Sequence, residues 1–258
     1  MSNLNVSVVQ CELHWESPEE NRSSIEKHLN PLSNTDVIVL PEMFTTGFSM
    51  RPEQIAEDHH SSMASLAWMQ GLAEKHQAAI TGSISVKEEG AYFNRMYWVE
   101  PEGKVVWYNK RHLFTFANED DHYSPGTARV VVEWRGWKIL LQVCYDLRFP
   151  VYMRNQIEHG APQYDAAIFV ANWPAVRSHP WKTLLLARAI ENQCFVVASN
   201  RVGEDGNGIS YSGDSAIIDP KGDYLIEAQP YRTQIIQHDL EWESLEAFRA
   251  KFPVLFDQ

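Results

Sequence analysis

Cys144 closes an apolar run, Ile139-Leu140-Leu141-Gln142-Val143, and the chain then turns at once toward a helix start at Pro150. Strand ends of this kind are where folds with helices on their sheet faces present reactive groups. Two further runs finish alike: Val37-Ile38-Val39-Leu40-Pro41 delivers Glu42, and Val105-Val106-Trp107-Tyr108-Asn109 delivers Lys110. A thiol, a carboxylate and an ammonium together suit amide or nitrile hydrolysis through a thioester. The thiol attacks, the acid takes its proton and returns it to the leaving nitrogen, and the cation stabilises the oxyanion. A helix opened by Pro150 and closed at Gly160, with an ammonium nearby, predicts a Cys144 thiol lowered from its ordinary value of about 8.5. Cys11 and Cys194 read instead as small buried hydrophobes.

The elements that must position these groups alternate from end to end, without a repeat or low-complexity linker, so one domain over residues 1–258 is the simplest account. A first strand is predicted over 4–10. Ser17-Pro18-Glu19-Glu20 then combines an N-cap, a proline at the first helical position and a capping-box glutamate, ahead of Ile25, Leu29 and Leu32 on one helical face. A buried strand over 36–40 and a helix over 62–76 follow. Strands at 79–86, 92–100 and 104–109 make an antiparallel meander. Further strands are expected at 129–134, 137–144, 166–171, 194–200, 215–219 and 224–227, with helices over 151–159 and 181–192. Gly203, Gly206 and Gly208 read as loop punctuation. Many strands with few helices suggest two sheets packed face to face under outer helices, a four-layer α-β-β-α sandwich. Periodicity alone fits a single wide sheet equally well.

Composition narrows the function. The 258 residues are 44% hydrophobic and 22% charged, with a formal net charge of -12. That charge argues against a nonspecific nucleic-acid binder, which needs clustered Lys and Arg for phosphate contacts. No apolar run approaches the ~20 residues of a membrane span, and the amino terminus lacks the pattern of a secretory signal, so a soluble, cytoplasmic protein is expected. Three cysteines without a C-x-x-C pair disfavour a disulfide framework or zinc ribbon. His59-His60 reads as a solvated loop pair, no metal-ligand spacing appears, and phosphate-loop, dinucleotide and nucleophile-elbow glycine motifs are missing.

Read together, Pro41-Glu42-Met43-Phe44, Lys110-Arg111-His112-Leu113-Phe114, Val143-Cys144-Tyr145-Asp146-Leu147-Arg148-Phe149-Pro150 and Ala171-Asn172-Trp173-Pro174 resemble the ordered signature motifs of the nitrilase (carbon-nitrogen hydrolase) superfamily. Segments 188–192, 200–203 and 213–215 continue the match over nearly the whole chain. Cys-Tyr-Asp-Leu-Arg-Phe-Pro and the compact length resemble its omega-amidase branch. The resemblance implies a Glu42-Lys110-Cys144 triad in the α-β-β-α fold, a homodimer or higher homo-oligomer assembled through outer helices, and no metal or organic cofactor. It also implies a second glutamate, Glu119, that orients the substrate nitrogen or Lys110. The backbone N–H of Tyr145 is expected beside Lys110 at the oxyanion. Omega-amidases take short dicarboxylate monoamides such as 2-oxoglutaramate. In so acidic a chain the far carboxylate needs a placed arginine, for which Arg148, Arg177 and Arg201 are candidates. Phe44, Phe114 and Trp173 are candidate pocket walls. Competing readings are a carbamoylase, aliphatic amidase or nitrilase using the same triad, and a non-catalytic module in which Cys144 is a redox thiol. A sensor needs no oxyanion donor, which counts against the last.

Overall fold

The computed structural model describes residues 1–59 and 63–257. Two mixed sheets face each other. The first runs Gln234–Leu240, Leu4–Gln10, Val37–Val39, Ala79–Glu88, Ala91–Val99 and Val105–Asn109, with the short Glu57–Asp58 also on Ala79–Glu88. The second runs Tyr224–Glu227, Ala216–Ile218, Phe195–Asn200, Ala166–Ala171, Trp137–Val143 and Val131–Trp134. Each has a parallel centre, Leu4–Gln10 with Val37–Val39 and Ala79–Glu88 in one, and Trp137–Val143 with Ala166–Ala171 and Phe195–Asn200 in the other.

The period of two along each strand sorts side chains into layers. Val6 and Val8 join Val37, Val39, Met96 and Trp98 in a core shared with Ile139, Leu141, Ile168 and Val170 of the opposite sheet. Val9, Ile38, Ile80 and Val99 point the other way, against Ile25, Leu29, Met69 and Leu72 of the helices Pro18–Leu29 and Ala64–His76. Trp181, Leu185 and Ala189 of the helix Ser178–Asn192 cover the second sheet, with Leu245 of Trp242–Lys251. Burying each such side chain contributes roughly 1.5–3 kcal/mol, enough to fix which face of each strand is inward. The molecule is therefore the α-β-β-α sandwich, and the single wide sheet is excluded. Among the described residues no helix is long and apolar enough to cross a membrane.

Several expectations need correction. The helix over 151–159 does not form: a single turn, Pro150–Met153, gives way to a ladder of Ile157–Glu158 on Ala161–Pro162. Buried Asn155 intervenes, its amide donating to Asn192 Oδ1 at 2.8 Å and its side chain to the Tyr164 carbonyl at 2.9 Å, so the backbone leaves the helical path. The Ser17 side chain makes no capping bond, although Pro18 does open the helix. Ser62 and His60 lie outside the described residues. His59 is not a solvated loop residue, since its ring lies 3.3 Å from both Glu88 and the Tyr97 hydroxyl. Gly203 stands inside a hairpin, Val202–Glu204 with Ser210–Ser212. The strand Gln234–Leu240 and the helix Trp242–Lys251 add to the elements that periodicity predicts.

Candidate active site

Polar side chains gather where the parallel centres of both sheets end on the same side of the sandwich. Val37–Val39 leads into Glu42, Trp137–Val143 into Cys144, and Ala166–Ala171 into Asn172. Lys110 follows Val105–Asn109 at the edge of the first sheet, and Glu119 opens a four-residue turn of helix. The backbone bends sharply at three of these points, with left-handed φ values at Met43 (43°), Asn118 (56°) and Cys144 itself (46°). Non-glycine residues adopt that region at a cost and are held there by surrounding packing.

Glu42, Lys110 and Glu119 have no exposed side-chain surface. Lys110 Nζ donates to Glu42 Oε1 at 2.9 Å and to Glu119 at 2.8 and 3.0 Å. Glu119 also accepts the Phe114 amide at 2.6 Å, and Glu42 Oε2 accepts the Asn172 amide at 2.7 Å. Asn94 Nδ2 reaches Glu42 Oε1 at 2.8 Å and Glu119 Oε1 at 3.2 Å. Burial disfavours the Lys110 ammonium, but Glu119 and Glu42 outweigh it and hold the amine charged far into alkali. Burial pushes Glu119 above the usual carboxylate range; Lys110 pulls it back and Glu42 adds to the rise.

Cys144 stands beside this cluster and is 8% exposed. Its thiol is raised well above the ordinary value, first by burial and next by the Glu42 charge, with Lys110 opposing. The expected lowering is overturned, because the turn at Pro150 is too short to supply a helix field and the nearest anion outweighs the ammonium. The resting sulfur keeps its proton.

Asp146 ties the lysine loop to the cysteine turn. One of its oxygens accepts the His112 amide at 2.9 Å and faces the His112 ring at 2.8 Å; the other accepts Tyr108 Oη at 2.8 Å and the Val143 amide at 3.1 Å. Gly126 donates its amide to the Lys110 carbonyl at 2.9 Å, and a Cβ there would lie 2.1 Å from the Asn109 carbonyl oxygen, so only glycine fits this approach.

A cavity of about 230 Å³ opens over Cys144 and is lined by Tyr145, Phe114, Trp173, Arg148 and Arg177. Phe44 is not among its walls: it is fully buried against Trp68, behind Gly82, and Phe48 takes the expected place. Arg201 is absent as well, being buried and bonded to the carbonyls of Leu13, Val202 and Glu204. Tyr211, from the hairpin read as a loop, is a wall. Arg148 lies over Trp173 at 5.0 Å, and Arg177 over Phe114 and Phe116 at 5.3 and 5.0 Å. Neither forms an ion pair among the described residues, whereas Arg22, Arg51, Arg95, Arg135, Arg188 and Arg249 each do.

Sequence reasoning missed Asn94, Asn172 and Asp146. Asn172 and Asp146 lie inside quoted motifs, so their positions were in view while their contacts were not. Nothing in the pattern of Ala91–Val99 marks Asn94. Among the described residues no group of three or more histidine, cysteine or acidic side chains is placed to hold a metal ion.

The model of the carbon-nitrogen hydrolase family matches residues 5–250. Omega-amidase YafV of Escherichia coli K12 is 45% identical over 260 residues, covering 100% of this chain and 97% of that protein. The 2-oxoglutaramate amidase of Bacillus subtilis is 34% identical, covering 98% and 96%. The crystal structure of XC1258 from Xanthomonas campestris, a CN-hydrolase superfamily protein with an arsenic adduct in its active site, superposes with a TM-score of 0.97 at 45% identity, covering 100% and 98%. With a family model over most of its length and full-length relatives on the same fold, this chain belongs to the carbon-nitrogen hydrolase family.

Proposed function

We propose that this enzyme is a cysteine-dependent omega-amidase that releases ammonia from short keto-dicarboxylate monoamides, 2-oxoglutaramate first among them. One observation carries the reading: a buried ammonium sits between two carboxylates beside a thiol, at the floor of an aromatic cavity whose two arginines lack carboxylate partners among the described residues. The omega-amidase and 2-oxoglutaramate amidase relatives support the same substrate class.

In the scheme, Cys144 Sγ attacks the amide carbon while Glu42 takes the thiol proton. A resting thiol held neutral by burial and by Glu42 requires this coupling, since no standing thiolate is available. The carbonyl oxygen becomes an oxyanion facing Lys110 and the amide of Tyr145. Tyr145 is the second residue of the turn Cys144–Arg148, where the first amides have no partner within the turn. Collapse breaks the carbon-nitrogen bond, and the proton on Glu42 leaves with ammonia. Water then attacks the thioester, giving its proton to Glu42, and the acid product departs as the sulfur recovers that proton. Glu119 keeps Lys110 charged and aimed. Arg148 and Arg177 offer guanidinium groups to the distal carboxylate, with Trp173 and Phe114 as their platforms.

The reading includes a homodimer or higher homo-oligomer working in the cytoplasm, the former measured by sedimentation. Ammonia release from 2-oxoglutaramate, set against N-carbamoyl amino acids and simple nitriles, tests the substrate. Faster turnover of the keto-acid amide is expected; a faster carbamoyl or nitrile reaction removes the omega-amidase assignment and leaves the chemistry of the triad standing.

A further inference from the structure

Two carboxylates bonded to one ammonium leave the cluster with a surplus negative charge where none of the three side chains is exposed. Such a surplus ordinarily draws in a proton, as in paired aspartates that share one. Yet the reaction proposed above needs Glu42 ionised at rest. Among the described residues the hydrogen bonds to the Glu119 carboxylate come from donors: Lys110 Nζ on both oxygens, the Phe114 amide and Asn94 Nδ2. Glu42 likewise receives Lys110, the Asn172 amide and Asn94 Nδ2.

Asn94 alone among these residues binds both carboxylates without contributing charge. Its side chain is fully buried in Ala91–Val99, and its amide nitrogen carries two hydrogens, one for each Oε1. Its backbone carbonyl accepts the Lys110 amide at 2.9 Å, so the same residue touches all three ionisable members of the cluster. The amide orientation follows from chemistry: with Oδ1 turned toward the carboxylates, two acceptors would face it. In the orientation present Oδ1 has no partner among the described residues, a cost accepted in placing both hydrogens on the carboxylates.

We propose that Asn94 is a positioning residue that keeps Glu42 and Glu119 ionised side by side, and so sets the lower pH limit of the reaction. This rests on the omega-amidase reading and deepens it by naming what readies the base. Among the described residues the titratable groups that feel the charge of Glu42 are Lys110, Glu119, Cys144 and Tyr211, and Tyr123 feels that of Glu119. Lys110 favours ionisation of the pair, the two acids oppose one another, and Asn94 favours both. A neutral donor to an anion lowers its pKa, so its loss raises it, and the acid limb of kcat/KM moves to higher pH.

The test is the pH profile of kcat/KM for the keto-acid amide in wild type, Asn94→Ser and Asn94→Asp, with Ser85→Ala as a buried control on the paired strand position. Asn94→Ser moves the acid limb up by about one pH unit, Asn94→Asp moves it farther, and Ser85→Ala leaves it in place. A merely structural Asn94 lowers kcat and thermal stability in both variants with the limb unmoved, which overturns the proposal. Side-chain amide NMR of the wild type reads the same claim without a variant or turnover: both Nδ2 hydrogens lie downfield and shift together as the carboxylates take up protons. A pair in which only one hydrogen responds, or neither does, also overturns it. Wild type that releases no ammonia from the amide defeats the functional reading instead, and the NMR result still decides the role of Asn94.

Discussion

The charged cluster and the cavity above it are built on opposite terms. Below, Glu42, Lys110 and Glu119 are wholly buried, and the hydrogen bonds that join them to one another and to Asn94, Phe114 and Asn172 come from four separate chain segments. Above, Phe116 is 78% exposed, and the two arginines rest on aromatic faces with no ion pair among the described residues. A buried, multiply bonded network fixes geometry and resists change; an aromatic wall with cations unpaired among the described residues leaves capacity for a guest. The cluster is therefore assigned to the rate of the bond-breaking step and the cavity to the choice of substrate.

That division can be broken first at Lys110. Lys110→Met removes the proposed oxyanion donor and is expected to lower kcat by two to three orders of magnitude or more, since one such donor contributes about 2.7–4 kcal/mol. It also strands two buried carboxylates, so chemical denaturation accompanies the assay; an unchanged kcat in folded protein contradicts the role. Asp146→Ala comes next. It leaves the buried Tyr108 hydroxyl and Val143 amide without their acceptor, at about 1–3 kcal/mol each, and lowers kcat by loosening Lys110 relative to Cys144. A denaturation midpoint equal to that of wild type refutes the clamp.

Arg148→Gln and Arg177→Gln sharpen the comparison from the other side. Each is expected to raise KM about tenfold, or 1.4 kcal/mol, with kcat nearly constant. A fall in kcat at constant KM would place the arginine in the chemistry. The smallest effect is a shift in pH dependence. Burial and Glu42 raise the Cys144 thiol, so its alkylation by iodoacetamide keeps accelerating beyond the ordinary thiol range near 8.5. Glu42→Gln removes the negative neighbour, which lowers the thiol value and moves the alkylation curve to lower pH. A curve that already levels near neutral pH contradicts a protonated resting sulfur.

Most strands were legible because apolar runs with period two or with no break recorded which surfaces face a core, as in Val37–Val39 and Ala166–Ala171, whereas their division into two sheets was not, since the same runs fit one wide sheet equally well. Glu42, Lys110 and Cys144 stood out for the same reason, each following such a run. Glu119 came from resemblance alone, since an acid beside Asp120 and Asp121 has no pattern to separate it. Asn94 was silent: in an alternating strand, a buried polar residue looks the same as an outward one. Phe44 lies outside the pocket, buried against Trp68 just past the left-handed turn at Met43, and dihedral angles of that kind leave no trace in periodicity. The helix over 151–159 failed because Asn155 bonds to residues far along the chain, which local propensity cannot see.

The central claim is that Cys144, with Glu42 as its proton acceptor, forms the carbon-sulfur bond. Rapid quench of the enzyme with 2-oxoglutaramate, followed by intact-mass and peptide analysis, tests it most directly. The account predicts an adduct with the mass of the acyl group, the amide less ammonia, on the peptide bearing Cys144 and absent from Cys144→Ala. Turnover without any acyl adduct, or an adduct on Cys11 or Cys194, would contradict it.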